Sequence, residues 1–134
     1  MTQDEFIRKT LNLPWVNRAS SFESNDCWGL IVLYYKHVLN IELPKIEGYE
    51  QGSCDTSQGW ESGESKWKEL INAEVGALFT CYAGEKPIHV GILISTTKVL
   101  HANGFYNKPG KVEIHSIRAI KSIYGKMTYH KFMG

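Results

Sequence analysis

No run of apolar residues in this chain is long enough to span a bilayer, which needs about 20 in succession. The N-terminus, MTQDEFIRKT, is polar and carries two acids, unlike a secretory leader. Lysines and arginines never form a block, and the net charge is +1, so nothing in the bulk charge points to nucleic acid. Repeats and low-complexity tracts are also missing. The three cysteines, Cys27, Cys54 and Cys81, have neither the close spacing of a zinc pair nor an even count suited to a disulfide framework. The expectation is a reduced chain made in the cytoplasm, with no cofactor, no metal, no nucleic-acid partner and no membrane span.

What is present suits a single soluble domain over residues 1–134. The apolar fraction is 43% and the charged fraction 22%, enough for a core without staples. Charge is uneven along the chain. Residues 42–74 hold eight acids against three lysines, and residues 105–134 hold six bases against Glu113. The scatter of those bases reads as a solvated face.

The order of elements follows from periodicity. Gln3 to Leu13 reads as an amphipathic helix stopped by Pro14. Asn25 or Asp26 is a natural N-cap for a second helix, in which Cys27, Leu30, Ile31, Tyr34, Val38 and Leu39 recur at spacings of three and four. Lys45 to Glu64, with four glycines, reads as a long surface loop, and Ser65 to Ala73 as a short helix. Strands follow: Ala77–Tyr82, Ile88–Ile94, Lys98–Ala102, Val112–Ile117 after a turn at Lys108-Pro109-Gly110, and Lys126–Phe132. Helices first and strands afterwards predict an α+β domain with an antiparallel sheet of five or six strands.

Three residues stand out chemically. Cys27 falls at a helix N-terminus, where exposed N–H groups and the helix dipole favour a thiolate. His89 lies in an apolar strand, on one face with Gly91 and Leu93, while Ile88, Val90, Ile92 and Ile94 take the other. Gly91 would leave room beside the imidazole for a substrate backbone. His101, on the next strand of a hairpin turning at Ser95–Thr97, would return alongside His89 and fix its tautomer. Taken singly, each has an ordinary structural explanation. A buried cysteine is usually inert, and a strand histidine usually structural. The same three side chains could also ligate zinc, but no close ligand pair supports that. Cys81 reads as core, and His115 and His130 as surface or sheet residues.

Asp26-Cys27-Trp28-Gly29-Leu30 resembles the nucleophile motif of the NlpC/P60 cysteine peptidases. His89-Val90-Gly91-Ile92 is similar to that family's base motif, and Val99-Leu100-His101-Ala102 to its third-residue motif. Glu74-Val75-Gly76-Ala77-Leu78-Phe79 stands where the family has a Gly-Asp-hydrophobic strand entry, without the Asp. Pro14-Trp15 stands where it has Pro and an aromatic. The resemblance runs from about Pro14 to the C-terminus. It implies a papain-like fold with the nucleophile helix packed on the sheet, and a Cys27-His89-His101 triad. Trp15, Asp26 and Trp28 would lie at the substrate or the oxyanion. The implied substrate is the peptide stem of bacterial peptidoglycan, cut between a γ-linked D-glutamyl residue and the following diamino acid. Trp28 in place of the usual Ser, with Ile41-Glu42-Leu43-Pro44 further on, looks like the phage tail-assembly branch, which implies tail-tip proteins as partners and a place in the virion. Two alternatives keep the same scaffold: a catalytically silent tail protein, and an amidase or acyltransferase acting on another amide.

Overall fold

The computed structural model describes residues 1–43, 67–105 and 108–133. Two helices precede the sheet. Helix α1 (Gln3–Thr10) opens with a capping box in which Thr2 and Glu5 bond reciprocally, with acids in its first turn and bases in its last. Helix α2 (Cys27–His37) is apolar almost all round, the mark of a buried helix. Its two tyrosines are nearly fully buried and anchor it at both sides. Tyr34 donates to Gln3 of α1, and Tyr35 donates to the carbonyl of Gly76.

The strands are β1 (Trp67–Leu70), β2 (Leu78–Ala83), β3 (Lys86–Leu93), β4 (Lys98–Phe105), β5 (Lys108–Ser116) and β6 (Met127–Phe132). A third helix, α3 (Ile117–Tyr124), separates β5 from β6. One antiparallel sheet results, in the order β1-β6-β2-β3-β4-β5. The architecture is thus α+β, as the sequence predicts.

Period-two alternation divides the sheet into two packed faces. Leu78, Val90, Ile92, Leu100, Ala102 and Val112 pack with α2 and α1. Phe79, Cys81, Leu93 and Val99 pack with Ile120 of α3.

Four expectations change. Residues 67–70 form a strand, not a helix: Trp67 pairs with Phe132 and packs edge-on against it and against Tyr35, so tertiary packing overrides helical propensity. Lys108-Pro109-Gly110 begins β5 instead of turning before it. Helix α1 ends at Thr10, three residues short of Leu13. Helix α3 was hidden because Ile117 extends the apolar alternation of β5. Its signals are Ser116, which caps it, and the spacing of Ile117, Ile120 and Tyr124. The expected loop Lys45–Glu64 lies outside the described residues.

Candidate active site

Cys27 is the first residue of α2, and Asp26 is its N-cap. The Asp26 carboxylate accepts from the Gly29 amide at 2.7 Å and from the Arg18 amide at 2.8 Å. It therefore caps the helix and holds the 15–25 segment against it. Arg18 sits at φ 64°, a left-handed conformation unfavourable for a side chain with a Cβ. The bond to Asp26 compensates. Asp26 is 1% exposed, so it acts as a clasp beneath the helix tip and not as a wall of an open cleft. Trp28 is also buried, within the core around α2.

Trp15 reaches the same neighbourhood by a different route. Its amide donates to Gly110 of β5, and it forms a parallel bridge with Asn25, two residues before Cys27. Its ring lies over Gly104: a Cβ there would sit 2.8 Å from Trp15 Cγ. The indole Nε1–H is buried with no acceptor among the described residues.

The two predicted histidines are brought together. The ladder between β3 and β4 ends at the pair Ile92 and Leu100. Beyond it the strands part, and the imidazoles bridge the gap: His89 Nε2 and His101 Nδ1 are 2.8 Å apart. Both rings are 1% exposed. Tyr124 of α3 stacks on His89 with ring centres 5.2 Å apart, and Phe79 flanks both imidazoles. The other ring nitrogen, His89 Nδ1, is buried without a partner among the described residues.

Gly91 has a different role from the one its sequence context predicts. A Cβ at this position would lie 2.3 Å from the Phe79 ring and 2.8 Å from His101 Cβ. The space beside His89 is filled by protein, and Gly91 lets Phe79 and His101 close over the imidazole.

The structure keeps Cys27 in the cluster that holds Val90 and Ala102, the chain neighbours of His89 and His101. The imidazoles themselves turn toward Phe79 and α3. Cys27 is fully buried, and its sulfur is in a disulfide, contrary to the expectation of a chain without one. Cys81 is the free cysteine among the described residues. It pairs in register with His89, a neighbour not foreseen for it, but burial pushes its thiol up to about 12, which makes it inert as a nucleophile. Among the described residues, no group of three or more His, Cys, Asp or Glu is placed to hold a metal ion, and no helix is long and apolar enough to cross a membrane.

Two residues of the site escape sequence reasoning, Tyr124 and His115. His101 Nε2 lies 2.8 Å from His115 Nδ1, so the imidazole pair is a row of three. The β4–β5 register sets Val99 opposite His115 and His101 opposite Glu113, which makes His115 the diagonal neighbour of His101.

Burial disfavours the charged form of these rings. It lowers His89 to about 4 from the ordinary 6.5, and it lowers His101, aided by the neighbouring imidazoles. The neutral form is the one that accepts a proton. A stability consequence follows. Between pH 6.5 and 4 the unfolded chain binds a proton at this position that the folded chain refuses. Stability is therefore complete above 6.5 and falls as the pH drops toward 4, by about 3 kcal/mol for His89 alone. Calorimetry should show Tm decreasing steadily across that window. A Tm unchanged from pH 7 to 4 would contradict the buried neutral imidazoles.

The sequence profile of the NlpC/P60 family matches residues 13–133. The chain belongs to the NlpC/P60 family. This is a family of cysteine peptidases with a papain-like fold, and the six-stranded sheet and packed helices agree with it. The NlpC/P60 domain of the peptidoglycan hydrolase SagA is similar in structure, with a TM-score of 0.63 and 16% identity over 93% of this chain and 92% of that one. An NLP/P60-family protein from Staphylococcus aureus, described as similar to a lipoprotein, gives 0.63 and 20% over 93% of this chain. NlpC2 from Trichomonas vaginalis gives 0.64 and 17% over 96%. This NlpC/P60 chain spans 38% and 44% of the length of the last two. At these identities the likeness is one of fold. No curated protein sequence matches the chain.

Proposed function

We propose that this NlpC/P60 domain is a cysteine peptidase that hydrolyses an amide in the peptide of the bacterial cell wall, with Cys27 as nucleophile, His89 as base and His101 as the residue that orients it. The supporting observation is the unequal treatment of the two His89 nitrogens. Nε2 is held by His101, and Nδ1 is buried without a partner among the described residues. A base needs one nitrogen fixed and the other open to the nucleophile's proton. Cys27 belongs to the same buried cluster as Val90 and Ala102, the chain neighbours of His89 and His101. The imidazoles lie on the α3 face of the sheet, against Phe79 and Tyr124, so this reading requires the reactive form to bring the Cys27 sulfur from the α2 side to His89 Nδ1.

In the reaction, Cys27 Sγ gives its proton to His89 Nδ1 and attacks the carbonyl carbon. His89 returns the proton to the departing amine, leaving a thioester. Water, deprotonated by His89, then releases the acid and restores the thiol. The Cys27 amide at the helix start and the Trp15 indole N–H, which has no acceptor among the described residues, are the donors best suited to the oxyanion. Each such donor contributes on the order of 3 kcal/mol in comparable sites. Only a thiolate can attack, so the disulfide at Cys27 must first be reduced.

A silent scaffold is the second reading, favoured by the sealed and oxidised Cys27. Association with a phage tail is supported by the resemblance carried by Trp28 and residues 41–44. Digestion of purified peptidoglycan, read by mass spectrometry, separates peptidase from scaffold. The reduced protein should release fragments with a new free amine on the diamino acid, and both the Cys27→Ala variant and the unreduced protein should not. Identical products from Cys27→Ala would remove Cys27 from the mechanism. No products from a folded, reduced protein would favour the scaffold.

A further inference from the structure

His89, His101 and His115 stand in one line of hydrogen bonds. Nε2 of the first meets Nδ1 of the second at 2.8 Å, and Nε2 of the second meets Nδ1 of the third at 2.8 Å. Each bond holds one proton, so the tautomers of the three rings are not independent. If His115 Nδ1 is bare, it accepts from His101 Nε2–H. His101 Nδ1 is then bare and accepts from His89 Nε2–H. The one proton of neutral His89 is thereby used, and its Nδ1 presents a lone pair. If His115 Nδ1 carries a proton, every bond reverses. His115 donates to His101 Nε2, His101 Nδ1–H donates to His89 Nε2, and the proton of His89 moves to Nδ1, where it blocks the base.

We propose that His115 is a positioning residue that sets the tautomer of His89 through His101, and that protonation of His115 from solvent switches the base off. The proposal rests on the reading of His89 as a general base. Location supports it. His89 and His101 are sealed, while His115 is half-buried and lines an open cavity of roughly 310 Å³. It is the one ring of the three placed to exchange protons with water. The charged and titratable groups on that cavity are Lys108 and Glu113 from β5, His101 from β4 and Tyr124 from α3. Glu113 accepts a hydrogen bond from Asn103 at 3.1 Å, which fixes its carboxylate on the same wall. Neutral His115 with a bare Nδ1 already carries its own proton on Nε2, so the one proton taken up from solvent comes to rest on Nδ1. The protons of His101 and His89 each shift from Nε2 to Nδ1, and the imidazolium Nδ1–H is the donor that holds them there.

The test reads the tautomers directly, without substrate. Long-range ¹H–¹⁵N spectra of the reduced, labelled protein should show His89 protonated at Nε2 when His115 is neutral. Its proton should move to Nδ1 at the pH where the His115 resonances themselves titrate. In His115→Gln the amide oxygen still accepts from His101 but gains no charge, so His89 should hold the Nε2–H form down to lower pH. His115→Ala removes the acceptor and should leave a mixture of tautomers. For cleavage, the acid limb of the kcat/KM profile should follow the same order. It should move down by about one pH unit in the Gln variant, and His115→Ala should lose about tenfold at the optimum, partly restored by Gln. A His89 tautomer that stays fixed while His115 titrates, or an acid limb identical in wild type and His115→Gln, overturns the proposal. Coupled tautomers in a protein that cleaves nothing would leave the wire standing and reject the peptidase reading instead.

Discussion

His89→Ala is expected to lower the rate of wall-peptide cleavage by about 10³-fold or more, with substrate binding little changed. Removing the base forfeits proton transfer in both the acylation and the hydrolysis of the thioester. It also leaves Cys27 without the cation that would stabilise its thiolate. His101→Ala should cost less, because it leaves a base whose orientation is merely loosened. The comparison is made with reduced proteins of confirmed fold, since His89 is a buried ring stacked on Tyr124. A loss in His89→Ala under tenfold would remove His89 from the chemistry.

The second large effect is structural. In Gly29→Ala the new Cβ would lie 1.9 Å from the carbonyl oxygen of Ala19 and 2.9 Å from its carbon. Backbone atoms cannot rotate away as a side chain can. The Ala19 carbonyl is also the acceptor of the Asp26 amide, and Ser20 bonds the Gly29 carbonyl at 2.7 Å. The 15–25 segment and the first turn of α2 would have to separate, carrying Trp15 and Asp26 with them. We expect a loss of about 3 kcal/mol and a Tm lower by roughly 10 °C, read by thermal denaturation. A Tm within one or two degrees of wild type would show that the segment can yield. The requirement for Gly in Asp26-Cys27-Trp28-Gly29 is thus one of close approach, not of helix flexibility.

Much of this was legible in the sequence, for reasons that differ by residue. The helix starting at Cys27 shows in its cap and its spacing, and the His89–His101 pairing shows in the hairpin arithmetic. Both depend on local rules. Residues 67–70 defeat those rules, because only contact with Phe132 and Tyr35, which are distant in the chain, makes them a strand. Gly91 was legible as a requirement for smallness but not as to its cause, which is the Phe79 ring arriving from β2. His115 was missed because it joins the site only by a diagonal contact across β4–β5. Its role depends on register, and register is set by the whole sheet. The disulfide at Cys27 was illegible for a similar reason: an odd count with wide spacing says nothing about which sulfurs meet.

Sulfur and imidazole acting as a pair is the claim from which the rest follows. Its most direct measurement is the rate of alkylation of reduced Cys27 across pH, with the modified site read by mass spectrometry. With His89 present, the rate should titrate well below the ordinary thiol value of about 8.5. In His89→Ala it should return to that value. A Cys27 that titrates near 8.5 whether or not His89 is present would contradict the account.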